Sequence, residues 1–317
     1  MSHPSANIRK RVLFIAAGLL LTAGVAFILK QQGNPEKTIT TQTADPYANF
    51  LLEEPSASYQ MLRYVAERGG DEHQRKFAIQ WLDEQARLKI APKPDQEAWL
   101  LSVIEKGGHS DWDIETQLWI FNNAFNYLHN GKEHAALTKH LQNLALKHPH
   151  KTMRLYALQH IDLQRSIGNL TGPMAEEVHS NLHQLAQAAD SEVAGSALVV
   201  LVNWDGRDSK PSEKIIALAN QLAGDNTRTT DIRVTAIHAV GEHTLALART
   251  LATDLTQPIQ VRKAAIACIG QHGSEADTAT LNQLAKENFR IAQAAEPALK
   301  TIRHRTANPT ATEPIPF

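Results

Sequence analysis

Cysteine is almost missing from this chain. Cys268 is the one cysteine in 317 residues, so no disulfide forms within the chain and its stability must come from packing. It lies inside an apolar helical pattern, where a cysteine acts as a small buried hydrophobe rather than a redox group. Aromatic residues are scarce at 6% against 43% apolar, the balance of an Ala/Leu-rich helical array. Net charge is also nearly absent, −1 overall. The first 30 residues hold four bases and no acid, which leaves −5 for residues 31–317. That mild acidity argues against the basic face by which nucleic-acid-binding modules hold phosphates. A GxSxG turn, a GxxxxGK[ST] loop and a Gly-rich dinucleotide turn do not occur, so the usual nucleophile and phosphate sites are missing. Sustained apolar/polar alternation, the mark of a half-buried strand, is missing as well. The expectation is an all-α, non-catalytic chain with no cofactor, no small-molecule substrate and no nucleic-acid partner.

What is present is a repeat. The segment IRVTAIHAVG at Ile232–Gly241 recurs as VRKAAIACIG at Val261–Gly270, and a blurred copy starts at Ile291. Carrying the template upstream gives further starts at Val193, Met153, Ile114 and Gln74. Successive starts are 40, 39, 40, 39, 29 and 30 residues apart, and self-similarity at such a period marks a helical solenoid. With the start numbered zero, positions 0, +4 and +8 share one helix face. Position +4 is Ala in six of seven copies, Leu118 being the exception. A small residue there lets two helices approach closely, toward the short end of the ~8–10 Å interaxial range. Gln74 and Asn122 fit poorly, and Glu296-Pro297 breaks the last copy, as in an atypical end unit. Gly241 and Gly270 are expected to stop their helices. The pattern predicts an α-α superhelix of about seven helical hairpins over residues 50–304.

These motifs resemble HEAT repeats. Ile232-Arg233 with Ala236 and Gly241, and Val261-Arg262 with Ala264-Ala265 and Gly270, are similar to the short HEAT-like variety first noted in bilin lyases. The resemblance covers residues 231–300 best and about 70–230 less closely. It implies an armadillo-like α-solenoid with a role in protein binding. It carries over no lyase chemistry, because the motif holds no catalytic residue.

Ahead of the repeats, Val12 to Leu29 runs VLFIAAGLLLTAGVAFIL without one charge. Its length corresponds to ~27 Å of helix, close to the ~30 Å hydrocarbon core. Arg9-Lys10-Arg11 precedes it, which predicts a cytoplasmic N-terminus over residues 1–11 and an extracytoplasmic remainder. Gly24-Val25-Ala26 offers a signal-peptidase-like alternative, but the apolar run continues through Phe27-Ile28-Leu29 and favours an uncleaved signal anchor. The reading is a single-pass membrane protein, in a bacterium an inner-membrane protein facing the periplasm. Residues 30–49 read as a flexible linker and residues 305–317, with three prolines, as a disordered tail.

Six residues are candidates for partner contact. Trp112, Trp119 and Phe125 lie in the aromatic stretch 111–130, where helical aromatic stripes are more often core than surface. Arg154, Arg233 and Arg262 all occupy position +1, as does Arg75. They form either a basic ladder for an anionic partner or local pairing and capping contacts with nearby acids such as Asp71, Asp190 and Asp231. Fifteen histidines invite a metal reading. His179 and His183 are spaced i, i+4, with Glu176 at i−3. The run lacks the Glu of HExxH and shows no converging further ligands, so solvated histidines are the plainer reading. The pairs His134/His140 and His148/His150 are weaker. Asn169-Leu170-Thr171 matches a glycosylation acceptor only by tripeptide.

Two other functional readings stand beside the scaffold. One is a metal-dependent or enzymatic accessory factor using the His-rich middle. The other is a structural subunit of a membrane complex assembled through the span.

Overall fold

A computed structural model describes residues 55–189, 191–206 and 210–307. The apolar run 12–29, the linker 30–49 and residues 308–317 lie outside the described residues. Among the described residues there is no strand, and no helix is long and apolar enough to cross a membrane.

Among the described residues fourteen α-helices follow one another in pairs. They are α1 (Pro55–Arg68) with α2 (Glu72–Arg87), α3 (Pro94–Glu105) with α4 (Ile114–Leu128), α5 (His134–Lys147) with α6 (Lys151–Ser166), and α7 (Gly172–Gln187) with α8 (Ala194–Gly206). The remaining pairs are α9 (Glu213–Gly224) with α10 (Thr230–Ala239), α11 (Leu245–Thr253) with α12 (Ile259–His272), and α13 (Thr278–Leu284) with α14 (Phe289–Ala307). Each first helix packs on the second helix of its own unit, and every second helix also packs on the second helix of the next unit, from α2 to α14.

Local chemistry explains where these helices start and stop. Asp71 opens α2 with a reciprocal cap: Gln74 N donates to Asp71 Oδ1 at 2.9 Å and Asp71 N donates to Gln74 Oε1 at 2.8 Å. Such a box satisfies amides that the helix leaves unpaired. Asp113 accepts from Thr116 N at 2.7 Å to start α4. Gly69 and Gly70 make the α1–α2 turn with φ of 83° and 61°, the left-handed region that glycine enters without a Cβ clash.

All seven repeat starts fall in or at the edge of a second helix. The alanines Ala78, Ala157, Ala197, Ala236, Ala265 and Ala295 are fully buried. Gln74 and Asn122, which fit poorly, are half-buried, and so are Ile114 and Leu118 of the second copy. Burial of the 0, +4 and +8 stripe is the main apolar gain, at roughly 25 cal/mol per Å² removed from water.

Two expectations change, and Pro297 proves to break the repeat pattern without breaking its helix. Gly270 does not end its helix: α12 runs on to His272, and a Cβ on Gly270 would meet Ala298 Cα of α14 at 2.7 Å. It is a close-approach residue, whereas Gly241, with φ 51°, does follow a helix end. Pro297 does not break α14. It forfeits one backbone bond, but Ile291, Ala295, Ala298, Leu299 and Ile302 are buried on both sides of it. The last helix also runs past 304 to Ala307, because the Arg305 guanidinium bonds the carbonyls of Gln271, at 2.5 Å, and Gly273 beyond α12.

Candidate functional site

The position +1 arginines have a common geometry. Arg154 Nε donates to Ala145 O at 2.9 Å, Arg233 Nε to Ala223 O at 2.9 Å and Arg262 Nε to Ala252 O at 3.0 Å. Arg75 Nε does the same to Gly69 O and Gly70 O, at 2.9 and 3.0 Å. In each case the acceptor lies at or just past the C-terminal end of the first helix of the same unit. A cation there meets carbonyls that lack a helical partner and the negative end of the helix dipole. The contact is a cap, but to carbonyls rather than to the acids Asp71 or Asp231. Asp190 lies outside the described residues.

The arginines differ in what else they touch. Arg233 is 2% exposed and Arg262 6%. Arg233 Nη2 donates to Gln257 Oε1 at 2.5 Å, and Arg262 Nη2 to both carboxylate oxygens of Glu287, at 2.9 and 2.8 Å. Burial draws Arg233 below the ordinary arginine value. Both guanidiniums are therefore used inside the chain. Arg154 is half-buried and, among the described residues, makes only its Nε bond.

The aromatic candidates separate in the same way. Phe125 is fully buried and Trp112 8% exposed, its Nε1 donating to Gly69 O at 3.1 Å. Both belong to the core rather than to a surface. Trp119, one helical turn from the buried Asn123, is 42% exposed. The stripe is wider than one face because α4 packs on both α2 and α6.

Besides His148 and His150, whose ring centroids are 5.9 Å apart, histidines come together in two buried or partly buried places among the described residues. His179 and His183 on α7 have ring centroids 4.8 Å apart, with His179 Nε2 3.5 Å from Asp205 Oδ1 and 5.6 Å, ring to ring, from Trp204. His183 is buried rather than solvated. Burial, with His179 beside it, lowers its pKa. Among the described residues no group of three or more His, Cys, Asp or Glu side chains is placed to hold a metal ion. The second place was not legible in the sequence. His129 Nε2 and His160 Nδ1 are 2.8 Å apart, and His160 Nε2 is 3.0 Å from Asn122 Oδ1. Burial holds His129 down to about 4 and His160 well below the usual value. Cys268 is likewise buried, its thiol pushed up to about 11, so it is inert at neutral pH. Asn169 bonds His134, at 3.2 Å, and Leu170 is buried.

Glu97 on α3 is a buried polar group with a structural role. It is 3% exposed and accepts from Lys132 N at 2.9 Å and Glu133 N at 2.7 Å at the start of α5. A Cβ on Gly131 would meet its Oε1 at 2.1 Å, which is why glycine stands there.

Two shallow depressions meet on α7. One, of about 510 Å³, is lined by Ser180, His183, Gln184, Gln187 and Ala188. The other, of about 240 Å³, is lined by Leu146, Arg154, Gln184, Leu185, Ala188 and Ser191. Arg154 lines the second of these, where the third unit (α5, α6) meets the fourth (α7, α8). Compared with protein-family models, with curated proteins and with solved structures, the chain matches none.

Proposed function

We propose that this chain is a non-catalytic scaffold of the HEAT-like α-solenoid class, anchored in a membrane through residues 12–29. It holds a protein or peptide partner along the groove formed by its second helices. In a bacterium the repeat units would face the periplasm. The observation that supports this reading is the unbroken series of second-helix contacts from α2 to α14, since units that pack only on neighbours build extended binding surfaces. Trp119, a half-exposed indole on α4 in that series, is its anchor, as interface hot spots favour tryptophan.

The test is in-cell crosslinking and pull-down of the full-length protein and of Trp119→Ala. Recovery of the partner should fall about tenfold, equivalent to ~1.4 kcal/mol. Tm should stay within about 2 °C, because the change removes an exposed group. Unchanged recovery removes Trp119 from the interface, and a large drop in Tm assigns it to the core. Deleting residues 1–30 separates the groove from assembly through the span: the shorter chain should keep its partner.

A further inference from the structure

The units can be compared at two positions: +1 on a second helix, and −4 in the turn that precedes the second helix of the next unit. Between the fifth and sixth units these are Arg233 and Gln257, and between the sixth and seventh Arg262 and Glu287. In both, the guanidinium Nη2 of the first residue is bonded by the side-chain oxygen of the second. Between the fourth and fifth units the polarity reverses. Position +1 is Ala194 and −4 is Arg228, and Arg228 supplies the missing cap from the next unit. It donates to the carbonyls of Gln187 at 2.8 Å and Ala188 at 2.5 Å at the end of α7.

The third-to-fourth joint breaks this pairing. Position +1 is Arg154, but −4 is Ala189. Arg154 keeps the cap to Ala145 O through Nε and has no acceptor for its Nη groups among the described residues. It lines the 240 Å³ depression. Ser191, 4% exposed, lines the same depression, and its Oγ has no hydrogen-bond partner. A buried hydroxyl without a partner costs about 1–3 kcal/mol. A guanidinium lines the recess, and the unpartnered Ser191 hydroxyl is closed off in its wall until its side chain turns toward an acceptor. A planar carboxylate is the acceptor a guanidinium fits best.

We propose that this depression is a carboxylate-binding subsite, in which Arg154 and Ser191 hold an acid of the partner as Arg262 holds Glu287 within the chain. The proposal rests on the reading of the chain as a protein-binding scaffold. It supplies that scaffold with a polar anchor beside the apolar Trp119. The acid comes from a partner's chain terminus or from an Asp or Glu side chain.

The test follows the Nε–Hε NMR signal of Arg154 in the full-length ¹⁵N-labelled protein, identified by its loss in Arg154→Lys. N-acetylglycine stands for a chain terminus and N-acetylglutamate α-amide for a side-chain acid. One or both should give a saturable shift, while their uncharged amides give none. The probe with the larger shift names the source. Ala189→Glu puts back the missing −4 acid at an exposed position and should weaken probe binding at least about tenfold, by occupying the guanidinium. No shift with either carboxylate, or the same shift in Ala189→Glu, overturns the proposal. Asp190→Asn should leave binding within about twofold. A tenfold gain would instead make Asp190 the natural occupant and overturn a partner role. The two readings fail separately. A partner still captured equally well by Ala189→Glu leaves the scaffold standing without the subsite. Carboxylate binding with no captured partner does the reverse.

Discussion

The first two units and the last three solve the same packing problem with different materials. In the first two, the core is aromatic: Tyr59 and Trp99 meet edge-on at 5.5 Å, Trp81 and Tyr127 at 5.6 Å, and Phe121 and Phe125 at 6.1 Å. In the last three, the buried apolar residues are Ala, Val, Ile, Leu and Cys268, with no aromatic among them. The first helices shorten accordingly, from 14 and 12 residues in α1 and α3 to 12, 9 and 7 in α9, α11 and α13. A short first helix offers little apolar area, and there the arginines reach across to the next unit. Bulky cores rely on individual contacts between rings, whereas small cores rely on a polar bond repeated at each joint. That is why the C-terminal units look alike in sequence and the N-terminal ones do not.

The largest expected effect separates arginines at the same repeat position. Arg233→Ala removes a buried guanidinium and strands Ala223 O and Gln257, so unfolding free energy should fall by roughly 3 kcal/mol. Arg154→Ala, half-buried and with one bond, should cost about 1 kcal/mol. Equal losses in denaturant unfolding would break the distinction between the two joints.

Acid should divide the two regions next. His129 and His160 are neutral in the folded N-terminal half, and His129 is held at about 4. An unfolded histidine binds its proton near 6.5. The unfolded state therefore carries more protons between 6.5 and 4, and stability falls as pH drops through that window, by about 3 kcal/mol for His129. In the C-terminal units the shifted acids lie lower. Asp254, bonded by Thr256 and Gln257, is near 2, and Asp277 is lowered by Arg249. Their contribution persists until pH falls below the ordinary carboxylate range and is lost only beneath it. His238 on α10 and His272 on α12 are lowered as well, but their side chains are exposed whereas His129 and His160 are buried. Hydrogen exchange at pH 7 and 4.5 should therefore loosen α4–α6 more than α10–α12. Equal loosening would sink the assignment.

The smallest effect contrasts two glycines at the same place in consecutive repeats. Gly270→Ala drives a Cβ into the α14 backbone and should cost roughly 2 kcal/mol as overpacking. Gly241→Ala meets a positive φ and should cost about 1 kcal/mol. Reversed magnitudes in thermal unfolding would show that Gly241 and Gly270 had been assigned the wrong roles.

Much of the helical order is written in one dimension. The Asp71 cap, the alanine ladder and the +1 arginines all follow from spacing, because a helix repeats every 3.6 residues and a cap acts within one turn. The site was only half legible. Spacing marked Arg154 and Trp119 but equally marked Arg233, Arg262 and Phe125, which the fold buries. The His129–His160 pair and the Glu97–Gly131 contact join residues 31 and 34 apart, His129 and Gly131 lying just past the end of α4, and no local pattern announces them.

The sequence by itself determined that this chain forms paired helices and which stripe of most second helices is buried. Only the tertiary structure decided which side chains stay free, because that depends on what the next unit presents. Gln257 and Glu287 occupy two arginines, and Ala189 leaves Arg154 without an acceptor.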